Sequence, residues 1–324
     1  VKIFRSLSEV PPEFGPSAIT IGKFDGVHAG HRAVIAKLRH VASALHLESV
    51  AVTFDRNPLS LLAPDRCPDD LISTSQKLEA IEGTGLDAVL VLTFDKALSD
   101  LSPREFVTSI LVDALHAAVV LVGADFRFGA KGAGTVETLR ELGATFGFEV
   151  QVIDDVTPNG AKRVSSTWIR ELLTEGRVVE AADLLGALPS IRAQVVHGLE
   201  RGRKLGYPTA NLSREVEGFI PADGVYAAWL TVHSVRYAAA VSIGNNPTFD
   251  DVREKQVEAH ILDQTLDLYD EVVELSFVEY VRGMRKFSGP EALADQMGID
   301  EAWIRDVLGV PKRPRAEPGE PVEP

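Results

Sequence analysis

Ser17-Ala-Ile-Thr-Ile-Gly-Lys-Phe-Asp-Gly-Val-His-Ala-Gly-His31 runs from an apolar stretch into a glycine-spaced turn, and a helical pattern follows near 30–46. A short apolar run, a tight turn and a longer amphipathic segment form the first half of a strand-helix-strand unit. The pattern recurs outward from it: strands are predicted at 48–54, 87–94 and 117–123, with helices at 75–83, 103–114 and 134–146. Each strand is almost continuously apolar, as a strand buried on both faces must be, which predicts a Rossmann-like parallel sheet covered by helices. Helical patterns at 166–175 and 178–185 lead to a junction at Ala187-Leu-Pro-Ser190. Beyond it come short runs at 191–196, 224–232, 236–243, 256–262 and 271–277, separated by Gly, Pro, Asn and Asp clusters. That spacing predicts an antiparallel barrel or sandwich, of which the barrel is adopted here, closed by an amphipathic helix over 290–308. The expected domains are 1–187 and 188–310, with a disordered tail over 311–324 that carries five prolines.

Two domains suit a chain of 324 residues, and 45% hydrophobic with 25% charged residues is a globular composition. No apolar run approaches the roughly 18 residues of a membrane span, and no secretory leader pattern opens the sequence, so a cytoplasmic protein is expected. The single cysteine, Cys67, excludes an internal disulfide and a cysteine-rich zinc site, and is read as an inert thiol. A net charge of −14 disfavours nucleic acid and anionic membranes as partners. Any phosphate substrate therefore needs local cations and helix N-termini to reverse the sign of the field.

His28-Ala-Gly-His31 at a strand-to-helix turn offers that local reversal. Glycines let backbone approach a phosphate, the helix start presents unpaired N–H groups, and imidazoles can hold charge developing on a transferring phosphoryl group. Surface histidines on a glycine turn, or a metal-binding histidine pair, are the competing readings; no third ligand lies nearby in sequence for the latter.

Three further segments extend the pattern: Thr53-Phe-Asp-Arg-Asn-Pro58, Gly123-Ala-Asp-Phe-Arg-Phe-Gly129 and Arg163-Val-Ser-Ser-Thr-Trp-Ile-Arg170. All stand at strand C-termini or helix starts, where open α/β sheets bind ligands. In this order they resemble the nucleotidyltransferase superfamily and, within it, the bacterial bifunctional riboflavin kinase/FAD synthetase family. The resemblance implies that His28, His31, Ser166, Thr167 and Arg170 are catalytic in adenylyl transfer. It implies nucleotide contacts from Gly22, Phe24, Asp25, Gly30, Asp125, Arg127 and Ser165, and flavin contacts from Asn57 and Pro58. Where the family reads TFDPHP this chain carries Arg56 and Asn57; Asp125 stands in place of Asn, and Ala130 in place of His.

His197-Gly-Leu-Glu-Arg-Gly-Arg-Lys-Leu-Gly-Tyr-Pro-Thr-Ala-Asn211 joins a glycine-spaced basic loop to Thr and Asn oxygens suited to Mg²⁺. No Walker or protein-kinase motif is present. The bland reading is a turn at Tyr207-Pro208. The segment is similar to the riboflavin-kinase signature, and Pro221–Tyr226, Ser242–Phe249, Val257–Asp263 and Arg282–Phe287 continue the match. The resemblance implies Mg²⁺ on Thr209 and Asn211, and nucleotide contacts at Gly198, Gly202, Lys204, Gly206 and Pro208. It also implies flavin contacts at Tyr226, Asn246, Arg282 and Arg285, and Glu258 as the base for the riboflavin hydroxyl. Glu258 lies among apolar neighbours, where a carboxylate must be used or paired, so a structural ion pair is the alternative. Asn245 replaces a usual Thr, and Asp270 a usual Gly.

The implied activities are phosphorylation of riboflavin to FMN and adenylylation of FMN to FAD, both with ATP and Mg²⁺. Two alternatives accompany this expectation. One is an active kinase with a degenerate, regulatory N-terminal module; the other is a tRNA synthetase, disfavoured by the acidic charge and the lack of a K-M-S-K-S-like loop. Oligomeric state is not legible.

Overall fold

The computed structural model describes residues 1–153, 157, 162–197, 207–244, 255–264 and 266–311. The chain forms two compact units, Val1–Trp168 and Ile169–Pro324.

The first unit is a six-stranded sheet built from β1 (Lys2–Phe4), β2 (Ser17–Ile21), β3 (Glu48–Phe54), β4 (Ala88–Leu92), β5 (Ala117–Gly123) and β6 (Glu149–Ile153). Its order is β1-β4-β3-β2-β5-β6, and every pairing is parallel. Because successive side chains point to opposite faces, each apolar strand feeds two cores at once. Ile19, Ile21, Val50, Val52, Leu90, Val120 and Val122 pack on one face; Ala18, Ala51, Val89, Val91, Val119 and Leu121 pack on the other. This is why these strands lack hydrophobic-polar alternation. Helix α1 (Ala29–Leu45) buries Ile35, Leu38 and Ala42, a helical spacing, against the second face.

Around the sheet lie α2 (Pro58–Leu62), α3 (Thr74–Glu82), α4 (Lys96–Asp100), α5 (Pro103–Phe106) and α6 (Val136–Phe146). The helix predicted over 103–114 is instead α5 followed by a π-helical turn over Val107–Val112. Val107, Ile110 and Leu111 are fully buried there, a spacing that reads the same in either helix type.

Helix α7 (Ser166–Thr174) begins in the first unit and ends in the second. The second unit continues with α8 (Val178–Leu185), β7 (Ser190–Val196), β8 (Ala210–Leu212), β9 (Gly224–Val232), β10 (Val235–Gly244), β11 (Gln256–Ile261), β12 (Val272–Arg282) and α9 (Pro290–Leu308). The strands close into an antiparallel barrel in the order β10-β11-β8-β7-β12-β9. Closure leaves no edge strand exposed, which resolves the barrel-or-sandwich expectation. Two register shifts carry β12 past residue 277, where the sequence reading stopped it. Ile304 of α9 is fully buried against Val225, Ala227, Ala238 and Leu262.

Candidate active sites

In the first unit the strand order reverses between β2 and β5, and the crevice beyond their C-terminal ends is where such sheets bind ligands. The loop leaving β2 is contorted: Phe24, Gly26 and Val27 have φ values of 50°, 81° and 40°. A β-branched residue in the left-handed region is strained, and strain of this kind gathers at ligand sites. The loop ends at His28, the N-cap of α1, whose Nδ1 accepts from the His31 backbone N–H at 3.4 Å. Gly30 makes room for that ring, since a Cβ there would stand 3.1 Å from it. The His28 and His31 rings stack with centroids 3.8 Å apart. Burial, then the Arg163 guanidinium, lowers the His28 pKa to about 4. Burial, then the neighbouring His28, Lys23 and Arg163, holds His31 well below the ordinary histidine value. Both rings are therefore neutral near pH 7, and the His28 proton sits on Nε2. Among the described residues none hydrogen-bonds the buried His31 Nδ1, an orphan of the kind that gathers at ligand sites.

The start of α7 closes on this loop. Ser166 Oγ donates to the Asp25 carbonyl at 2.9 Å, and Ser165 Oγ caps the helix by accepting from Trp168 N–H at 3.2 Å. Arg163 donates to Asp125 at 2.9 Å, linking the segment before α7 to the loop after β5. A cavity beside the β2 loop is lined by Lys23, Asp25, Arg56, Asn57, Asp70 and Lys77, among others. Lys77 is buried and donates to the Phe54 carbonyl at 2.6 Å; desolvation lowers its pKa, opposed by Asp70, Asp25 and Asp55.

In the second unit β8 lies between β11 and β7, which sets Asn211 opposite Glu258. Thr209 Oγ1 donates to Glu258 Oε2 at 3.4 Å, and Asn211 Nδ2 donates to the Thr209 carbonyl at 3.5 Å, leaving the Asn211 Oδ1 for another partner. On β11 the apolar Val257, Ala259 and Ile261 are buried, whereas Gln256, Glu258 and His260 form the other face. Glu258 is thus half-buried on the polar face of its strand, and its carboxylate does not bear the full desolvation cost that its apolar sequence neighbours implied.

Family models described as FAD synthetase and as riboflavin kinase match residues 11–168 and 185–308. A curated relative from Escherichia coli, named bifunctional riboflavin kinase/FMN adenylyltransferase, is 34% identical over 96% of this chain and 98% of its own. Another of that name, from Listeria monocytogenes, is 37% identical over 89% of this chain and 91% of its own. The chain belongs to the bifunctional riboflavin kinase/FMN adenylyltransferase family. A crystal structure from Streptococcus pneumoniae, described as a macrolide-efflux protein, superposes with a TM-score of 0.82 at 30% identity, covering 94% of this chain and 98% of that one. Among the described residues no helix is long and apolar enough to cross a membrane.

Against this family background, several residues take other duties. Asn57 caps α2, its Oδ1 accepting from Leu59 N–H at 3.2 Å, with Pro58 in the first turn; it nevertheless lines the cavity. Tyr226, expected on the flavin, is a core residue with no exposed surface: its hydroxyl donates to the Ala222 carbonyl at 2.5 Å and its ring meets Phe277 and Tyr280. Arg282, expected likewise, is committed to Asp300 of α9 through Nε at 2.9 Å and Nη2 at 2.7 Å. Gly22 has its Cβ position 3.3 Å from the Phe24 ring, which it allows to fold back and bury. Arg127, Thr167 and Arg285 are exposed, and Arg170 falls in the second unit, one turn beyond Ser166 on α7. Pro208 is half-buried and accepts from His260 through its carbonyl. Asp270, in place of a usual Gly, has φ 64° and so occupies the conformation that favours glycine. Gly198, Gly202, Lys204, Gly206, Asn245 and Asn246 lie outside the described residues, as does the tail from 312 onward.

Arg163 and Lys77 were not singled out from sequence. Arg163 had a signal, standing two residues before the Ser-Ser-Thr run in a quoted segment. Lys77 had none, because only the tertiary fold brings α3 against the end of β3.

Proposed function

We propose that this chain makes FAD in two ATP-dependent steps, phosphorylating riboflavin to FMN in the barrel unit and adenylylating FMN in the parallel-sheet unit. The observation that carries the reading is the presence in one chain of two separate clusters, His28–His31–Ser166 and Thr209–Asn211–Glu258. We assign the adenylyltransferase to 1–187 and the kinase to 188–310, and a cytoplasmic location, where ATP is supplied, belongs to the same reading.

In the first step Glu258 takes the proton of the riboflavin 5′-hydroxyl, whose oxygen bonds to the γ-phosphorus of ATP as ADP leaves. The Thr209 hydroxyl and the Asn211 amide oxygen, set beside the Glu258 carboxylate, are hard oxygen donors of the kind Mg²⁺ prefers, so Thr209 and Asn211 fit that ion and would hold it. A Mg²⁺ ion held there would neutralise triphosphate charge. The basic loop of Gly198, Gly202, Lys204 and Gly206, together with Pro208, is assigned to the nucleotide, and Asn246 and Arg285 to the flavin.

In the second step an FMN phosphate oxygen bonds to the α-phosphorus of ATP, and pyrophosphate leaves. Neutral His28 offers an Nε2–H, and the α7 start offers the Ser165, Ser166 and Thr167 hydroxyls; Arg163 and Arg170 add fixed positive charge. These groups act by holding developing charge in place, without a covalent intermediate. Phe24, Asp25 and Gly30 shape the loop, Asp25 by accepting from Leu71 N–H at 2.8 Å.

Incubation with riboflavin, ATP and Mg²⁺ should yield FMN and then FAD, separable by chromatography. The Arg163–Asp125 ion pair, in which a carboxylate neutralises a cation of the nucleotide crevice, favours one rival: an active kinase with a regulatory N-terminal module. FMN that persists without conversion to FAD would establish that rival.

A further inference from the structure

We infer that His260 is a positioning residue of the kinase reaction, fixing the Pro208–Thr209 peptide so that the Thr209 hydroxyl faces Glu258; the inference rests on the kinase reading above. His260 Nδ1 lies 2.8 Å from the Pro208 carbonyl oxygen. A carbonyl can only accept, so Nδ1 carries the proton and donates. The Tyr207 ring meets the His260 ring edge to face, with centroids 5.2 Å apart, and so limits rotation of the imidazole. His260 is two residues beyond Glu258 on β11, and alternation places both on the polar face of that strand.

The consequence follows from proline geometry. The ring of Pro208 fixes its φ, so ψ is the remaining soft torsion that decides where Thr209 points. A hydrogen bond on the Pro208 carbonyl fixes ψ. Thr209 then presents its hydroxyl to Glu258 at 3.4 Å, while Asn211, paired across from Glu258, holds the Thr209 carbonyl. His260 and Asn211 thus restrain consecutive carbonyls on either side of the Thr209 Cα. Phosphoryl transfer by positioning is sensitive to displacements of about 1 Å, which can cost on the order of a hundredfold in rate.

The test uses the full chain, with FMN adenylylation as an internal measure of folding. His260→Ala should lower kcat for FMN formation about tenfold or more and leave the riboflavin KM within about twofold. Adenylylation of supplied FMN should not change. His260→Asn places an amide N–H where Nδ1–H stood and should restore kcat to within about threefold of wild type, whereas His260→Gln, whose amide reaches the Nε2 position, should not. Wild-type kcat in His260→Ala, or equal rates in the Asn and Gln variants, would overturn the inference. If His260→Ala loses both activities, the Asn and Gln pair decides. A wild-type chain that adenylylates FMN but does not phosphorylate riboflavin would remove the kinase reading itself.

Discussion

His28 and His31 stack so closely that two imidazolium rings would repel one another, and burial opposes charging either. The pH dependence follows from that. In the unfolded chain His28 takes up its proton near pH 6.5, and in the folded protein only near pH 4. Between those values the unfolded state holds one more proton, so this contribution to stability is complete above pH 6.5 and is lost as pH falls toward 4. The slope is about 1.4 kcal/mol per pH unit for one such group. Urea unfolding followed at about pH 7 and about pH 5 should show a smaller loss in His28→Gln than in wild type; identical slopes would mean that His28 is not held neutral. At this scale the sequence exposes residues in local motifs, such as His28, Ser166 and Thr209. It does not separate Tyr226 and Arg282 from ligand-facing residues, because an aromatic or Arg in a matching segment looks the same whether it meets a ligand or a neighbouring strand. Burial of Tyr226 and the Asp300 partner of Arg282 come from elements distant in sequence.

Helices and strands that bury a long apolar pattern were legible to within a residue or two, as β2, β3, β5 and β9 illustrate. Three strands were not read: β1, β6 and β8. β1 and β8 have three residues each, too few for a period, and β6 is a half-exposed edge strand of five residues, EVQVI, whose polar Glu149 and Gln151 break the continuous apolar run by which its neighbours are read. Helix α9 shows what holds an element that propensity alone does not. Its inner face carries Ile304 among apolar residues, but also Asp300, buried to 6% side-chain exposure against Arg282 at 15%. Arg305, buried as well, is bracketed by the half-buried carboxylates of Asp263 and Glu301. Removing one member of a buried pair strands the other charge, at about 3–5 kcal/mol. Asp300→Ala should therefore lower the thermal stability of the barrel unit by that order while FMN adenylylation persists below the transition. An unchanged melting profile would show the pair to be dispensable.

At the scale of the whole molecule, a chain with a net charge of −14 handles polyanionic substrates at two places, and each must supply its own cations. Lys23 and Arg163 stand by His31, Lys77 lines the cavity beside the same loop, and the segment proposed above for the second nucleotide carries Arg201, Arg203 and Lys204 in its sequence. If each cluster is self-sufficient, FMN made at one is usable at the other through solution, and two singly disabled chains should complement. His28→Ala should make FMN from riboflavin but little FAD, falling about a hundredfold as a transition-state donor is removed. Glu258→Ala should make FAD only when FMN is supplied. Mixed with riboflavin, ATP and Mg²⁺, the two variants should restore FAD formation, with FMN accumulating first and disappearing later. A mixture that forms FMN but no FAD, although Glu258→Ala alone converts added FMN, would mean that FMN is handed on within one polypeptide and that the two clusters do not act independently.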